Sequence, residues 1–244
     1  MSRIAVITGA ASGIGAATAR RLAADGLQLC LVDRDAEALR QLAVEVTVNW
    51  IVVADVTEPG AAERVLAESG GVDVLVTAAG AIVRRTAEET SDAEWDAALA
   101  LNLTATFRFC RAAIPAMRGR GGGAIVTVGS GWGLVAGPRA VAYAATKAAV
   151  VNLTRALAID HGPDGIRANC VCPGDTDTPL LRDELAQLGQ EAAAGIAASG
   201  ASRPLGRVAA PAEIAAAIAW LASADAGHVT GTTLVVDGGG LAGG

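Results

Sequence analysis

Seven short apolar runs, spaced along the whole chain, constrain it most. They are "RIAVIT" (3–8), "LQLCLV" (27–32), "NWIVVA" (49–54), "VDVLVT" (72–77), "AIVTVG" (124–129), "IRANCV" (166–171) and "TTLVVD" (232–237). Each is nearly continuous in its apolar character rather than alternating. That pattern marks strands buried on both faces, as in a parallel sheet covered by helices. Helical patterns fill the intervals, for example at 13–25, 35–45, 58–69 and 211–223. The alternation predicts an α/β fold: a doubly wound, seven-stranded parallel sheet in three layers, joined by right-handed crossovers. At 244 residues the chain suits one domain over 1–244. The one irregular stretch is 175–207, with Pro179, an alanine run and "RPLGR". It is expected to be a mobile flap, because a long excursion in a compact domain is usually functional or disordered.

Composition excludes several classes. Hydrophobic residues make up 52%, much of it alanine, which favours tight helix packing. No uncharged apolar run reaches the roughly 18 to 20 residues of a membrane-spanning helix. The apolar run at the N-terminus is too short for a signal peptide. A soluble, cytoplasmic protein is expected. The net charge of −6 disfavours a nucleic-acid partner. The arginine doublets Arg20-Arg21 and Arg84-Arg85 are expected on solvated faces. Cys30, Cys110, Cys170 and Cys172 lack zinc-site spacing, and His161 and His228 lie too far off to complete one. Neither a metal site nor a structural disulfide is expected.

After the first strand comes "TGAASGIG", Thr8 to Gly15. Gly9, Gly13 and Gly15 lie between strand and helix, with Ser12 before Gly13 and Ile14 between the last two. Glycines there permit a tight turn and let backbone N–H groups approach a pyrophosphate at a helix N-terminus. The spacing is G-x3-G-x-G rather than G-x-G-x-x-G. An acidic residue, Asp33, closes the second strand as a dinucleotide site requires. Its carboxylate can accept from ribose hydroxyls of NAD and repel the 2′-phosphate of NADP. Arg34 next to it either blunts that repulsion or lies over the adenine. NAD is the expected cofactor. In "ADV" (54–56), which ends the third strand, Asp55 either accepts from the adenine amino group or caps a helix, with Val56 beside it.

"YAATK" (143–147) holds the only tyrosine and the only lysine of the chain. Four residues apart, Tyr143 and Lys147 share one helix face. An ammonium beside a phenol favours the phenolate, so the phenol is expected below its usual pKa of about 10. That suits general acid–base work. Arginine lacks the compact ammonium that can bond a ribose and neighbour a phenol at once. Ser130 follows the fifth strand, at the end where sites in such sheets lie. Its hydroxyl can bond a substrate carbonyl alongside Tyr143. Thr127, inside the strand, is less suited. Asn102, in the apolar helix "WDAALALNLTATFRF", is either a satisfied core amide or a site residue.

These features resemble the short-chain dehydrogenase/reductase family over essentially the full length. The residues carrying the resemblance are "TGAASGIG", "LN" at 101–102, Ser130, "YAATK", "PG" at 173–174 and the tail "GRVAAPAEIAAAIAWLASADAGHVTGTTLVVDGG". It implies a Rossmann fold and a homotetramer. It also implies that Asn102 joins Ser130, Tyr143 and Lys147 in catalysis, holding a water that links Lys147 to solvent. Pro173 and Gly174 would form a turn, with Thr176 and Thr178 serving the nicotinamide carboxamide and phosphates. One departure is "TAAG" (77–80) in place of the family's "NAG" after the fourth strand. Ala79 and Gly80 still permit close approach to a cofactor, and Thr77 is expected to replace part of the lost amide bonding.

The expected reaction interconverts a secondary alcohol and a ketone with NAD(H). Trp132, Leu134, Val135 and Pro138, with Leu180, Leu181 and Leu185, are either a partly apolar substrate pocket or ordinary loop packing. The alternatives are a 3-oxoacyl-thioester reductase, which in this family mostly uses NADPH, or a dinucleotide-binding protein without turnover.

Overall fold

The computed structural model describes residues 2–242. Its seven strands are β1 (Ile4–Thr8), β2 (Gln28–Asp33), β3 (Trp50–Val53), β4 (Val74–Thr77), β5 (Gly123–Val128), β6 (Ile166–Pro173) and β7 (Thr233–Val236). They form one sheet in the order β3-β2-β1-β4-β5-β6-β7, and every pairing is parallel. Each run read as a strand is one, within a residue or two at the ends.

The period-two geometry of β1 sorts its side chains between two cores. Ala5 and Ile7 enter the core with α1 (Gly13–Ala24), α2 (Ala36–Glu45) and α9 (Pro211–Ala222). Val6 enters the other, with α3 (Ala61–Glu68), α5 (Ala105–Gly119) and α6 (Val141–His161). Both faces are thus covered, which explains the continuous apolar runs.

Parallel strands bring every C-terminal end to one edge. The loop at Gly9–Ser12, Asp33, Asp55, the segment 78–81, Ser130 and Gly174 all gather there. The chain crosses from β3 to β4 over β2 and β1, so the helices diverge between β1 and β4 and leave a crevice at the switch point.

Two segments differ from expectation. The helix expected around Asn102 is not uniform. Between α4 (Asp92–Ala98) and α5 lies one wide π-helical turn, Leu99–Thr104. Such turns recur at functional sites. The stretch 175–207, expected as irregular, contains α7 (Pro179–Gln187) and α8 (Ala192–Ala201). Thr178 caps α7, and Pro179 occupies the first helical position. Glu191 caps α8, accepting from the N–H groups of Ala193 and Ala194. With those ends satisfied, the alanine run follows its helix propensity.

Candidate active site

The crevice is a cleft of about 380 Å³. Gly9, Ser12, Gly13, Ile14, Gly15, Asp33, Arg34, Asp55, Val56, Ala79, Gly80 and Thr178 all line it. A smaller pocket of about 100 Å³ continues from it, lined by Tyr143, Lys147, Pro173, Gly174, Thr176 and Thr178, among others. Ile14, Ala78, Gly80, Thr178 and Leu180 border both.

The glycine loop has the form of a cradle. Gly9 has φ +67°, and a Cβ there would lie 2.7 Å from the Ala79 nitrogen. A Cβ on Gly15 would lie 2.0 Å from the Gly9 carbonyl oxygen. No side chain fits at either place, so backbone lines the cleft floor beside the start of α1. A dinucleotide pyrophosphate fits this arrangement. Asp33 faces the loop: Oδ2 accepts from Ala11 N–H (3.1 Å) and Oδ1 from Asp35 N–H (3.1 Å). Asp55 Oδ1 accepts from the Thr57 N–H (2.8 Å) and hydroxyl (2.7 Å), which hold its carboxyl below the usual range. Arg34 stays exposed.

Asn102 is fully buried in the π turn and ties down the segment after β4. Its Nδ2 donates to the Ala81 carbonyl (3.0 Å) and to Thr146 Oγ1 (3.3 Å), and its Oδ1 accepts from Ala81 N–H (3.0 Å). Gly80 leaves space between Asn102 and the lysine: a Cβ there would lie 3.1 Å from Asn102 Oδ1 and 3.4 Å from Lys147 Nζ. Thr77 does not take over the missing amide bonding. Its hydroxyl is buried with no partner among the described residues, and the Ala79 N–H instead donates weakly to Thr8 Oγ1 (3.4 Å).

Lys147 is buried, and Nζ donates to the Val128 carbonyl (2.8 Å). Burial pulls its pKa down to about 8. The phenol of Tyr143 departs from expectation. Burial pushes it up to about 12, with Ser130 pulling the other way and Glu184, Cys172 and Asp175 adding to the rise. The ammonium lies 5.7 Å from the ring centroid and is engaged elsewhere, so desolvation outweighs its attraction. Ser130 lies two residues beyond the end of β5 and accepts from Trp132 N–H (3.1 Å).

Trp132 lines the small pocket and meets Tyr143 edge-to-face, with centroids 6.4 Å apart. Leu180 and Leu181 line it as well, whereas Leu134, Val135 and Pro138 stand exposed outside its lining. Leu185 is buried below. Cys170 and Cys172 lie behind the site on one face of β6, as thiols with their sulfurs 3.8 Å apart.

Sequence reading missed three charged residues. Arg84, expected on a solvated face, is buried: Nη1 donates to Glu184 Oε1 (2.5 Å), and the guanidinium lies 4.8 Å from the Trp132 ring centroid. Glu184 and Asp175 line the pocket with Tyr143. No motif marks them. Only the meeting of 84 with 184 shows the pair.

The family model described as enoyl-(acyl carrier protein) reductase matches residues 9–240. The chain is 42% identical to cis-4-hydroxycyclohexanecarboxylate dehydrogenase of Sinomonas cyclohexanicum, over 97% of this chain and 96% of that protein. It is 39% identical to D-threitol dehydrogenase of Mycolicibacterium smegmatis, over 97% and 92%. The structure of a short-chain dehydrogenase/reductase family oxidoreductase from Burkholderia thailandensis matches with TM-score 0.91 at 39% identity, over 100% of this chain and 94% of that one. Fold and relatives define an oxidoreductase that acts on CH–OH groups with a nicotinamide dinucleotide. The chain belongs to the short-chain dehydrogenase/reductase family.

Proposed function

We propose that the protein interconverts a secondary alcohol and a ketone using NAD(H). The observation that carries this is a backbone-lined cleft that runs into a pocket lined by Tyr143 and Lys147, with Ser130 beside the phenol and Asn102 bonded to Ala81, next to Gly80 of the pocket wall. The cofactor, when bound, takes up or returns the hydride. Tyr143 removes the hydroxyl proton in oxidation and returns it in reduction. Ser130 orients the substrate oxygen next to the phenol. Lys147 holds the ribose and favours the phenolate once its own charge is fixed. Asn102 fixes the 80–81 segment so that the route from Lys147 past Gly80 stays open to a relaying water.

Pro173, Gly174, Thr176 and Thr178, around the pocket of Tyr143, would hold the nicotinamide end of the cofactor, and Asp33, in the cleft, the adenosine end. The Asp33 carboxylate, fixed by two backbone N–H groups, opposes a 2′-phosphate and so supports NAD over NADP. We also propose a homotetramer. The half-exposed Trp220 of α9 and Val235 of the edge strand β7 offer apolar surface for a second copy.

The test is Tyr143→Phe, with kcat/KM measured against NAD and NADP over a panel of secondary alcohols. The variant should lose at least about 100-fold, since general acid–base groups contribute about 10²- to 10⁴-fold. The wild type should favour NAD. Activity within about tenfold of wild type would overturn the role of Tyr143. A strong NADPH preference would favour a thioester reductase.

A further inference from the structure

Two carboxylates stand in the wall of the pocket that holds Tyr143, and both are arranged alike. Glu184 Oε1 accepts from Arg84 Nη1, while Oε2 accepts from no group among the described residues. Asp175 Oδ2 accepts from Arg203 Nη2 (2.7 Å) and Ser199 Oγ (2.7 Å), while Oδ1 likewise has no donor. Each carboxylate is thus held through one oxygen by an arginine and a neighbour's geometry, with the other oxygen left as an acceptor. Both line the pocket.

The Arg84–Glu184 pair is buried, with side-chain exposures of 6% and 15%. Burying an ion pair is expensive, and an apolar pair of similar volume often serves stability as well or better. Arg84 Nε is itself buried with no partner among the described residues. Packing alone therefore gives no reason for charge here. The guanidinium also lies over Trp132, whose edge contacts Tyr143, so the pair and the reacting phenol share one wall. α7 is anchored to the opposite loop by Gln187 as well, which accepts from Arg84 N–H (2.8 Å) and donates to the Ile82 carbonyl (3.2 Å). Glu184 is held in place on both sides.

An unpaired carboxylate oxygen calls for a donor. A second hydroxyl supplies one, whereas a carboxylate, phosphate or hydrocarbon does not. We infer that Glu184, with Asp175, reads additional hydroxyl groups beside the reacting carbon, so that the substrate is a neutral polyhydroxy alcohol or its ketone. Arg84 is a positioning residue for this recognition. The inference rests on the secondary-alcohol reading of Tyr143 and adds the substrate class.

The experiment compares kcat/KM for threitol and for butan-2-ol, equal in carbon number, in wild type, Glu184→Gln and Asp175→Asn. A paired variant, Arg84→Met with Glu184→Leu, removes both charges together and avoids stranding one of them. Wild type should prefer threitol. Glu184→Gln and the paired variant should each shrink that preference about 10- to 100-fold, chiefly through the KM for threitol, as expected for a lost hydrogen bond to a charged group. Asp175→Asn should act in the same direction. Melting temperatures identify any variant that fails to fold, and the remaining variants then decide. Equal losses on both alcohols would overturn the inference, as would a wild type that prefers butan-2-ol. If wild type oxidises no secondary alcohol of a broad panel with either cofactor, the dehydrogenase reading itself fails, and this inference with it.

Discussion

Tyr143 and Lys147 illustrate how burial competes with attraction at the scale of single residues. The expected ammonium–phenol pairing is overridden, because both groups are drawn from water and the lysine spends its proton on a backbone carbonyl. This has a consequence for stability. Lys147 titrates at about 8 in the folded chain, against 10.5 for an unperturbed lysine. Between those values the unfolded chain binds more protons, so stability rises with pH across that window. Tyr143 acts oppositely, but only above about pH 10, where its raised pKa makes the folded chain the better proton binder. We therefore predict that the stability difference between wild type and Lys147→Met, both free of cofactor, moves in the wild type's favour from pH 7.5 to pH 9.5, the buried thiols that also titrate there being common to both chains. Urea unfolding at the two pH values measures it. An unchanged difference would show that Lys147 is not the titrating group.

The strands and the glycine loop were legible as elements because each depends on local pattern. An apolar run or a required glycine is visible wherever it stands. Gly15 shows how strict the loop is, since any Cβ there runs into the Gly9 carbonyl. We predict that Gly15→Ala weakens NADH binding at least about tenfold and destabilises the fold by about 1–3 kcal/mol, the usual penalty for overpacking. Fluorescence titration and thermal melting check the two effects. Unchanged NADH affinity would remove the loop from the cofactor site. The π turn at Leu99–Thr104 was not legible. Its apolar spacing resembles an ordinary helix, and its extra width is tied to the bonds Asn102 makes with Ala81, about twenty residues away. The helices α7 and α8 were missed for another reason. The proline and glycines of that stretch suggested irregularity, but the proline starts α7 and caps satisfy both N-termini.

At the scale of the whole molecule, the parallel sheet brings one end of every strand to one edge and opens the cleft at a switch point. The other surfaces bear on assembly. Sedimentation should give a species of four times 24.2 kDa. Trp220→Asp combined with Val235→Lys should shift it to smaller species, and a monomeric wild type would refute the assembly. From its own pattern the sequence determined the layered fold, the glycine cradle, the lone tyrosine and lysine one helical turn apart, and the acidic end of β2. These are short-range facts, written within a strand, a loop or a turn. Only the tertiary structure decided that Arg84 is buried, that it meets Glu184 across 100 residues, and that Asp175 joins them around Tyr143. The same holds for the direction in which burial moves the tyrosine and the lysine. Desolvation and ion pairing depend on what surrounds a group in space, and no local spacing records that.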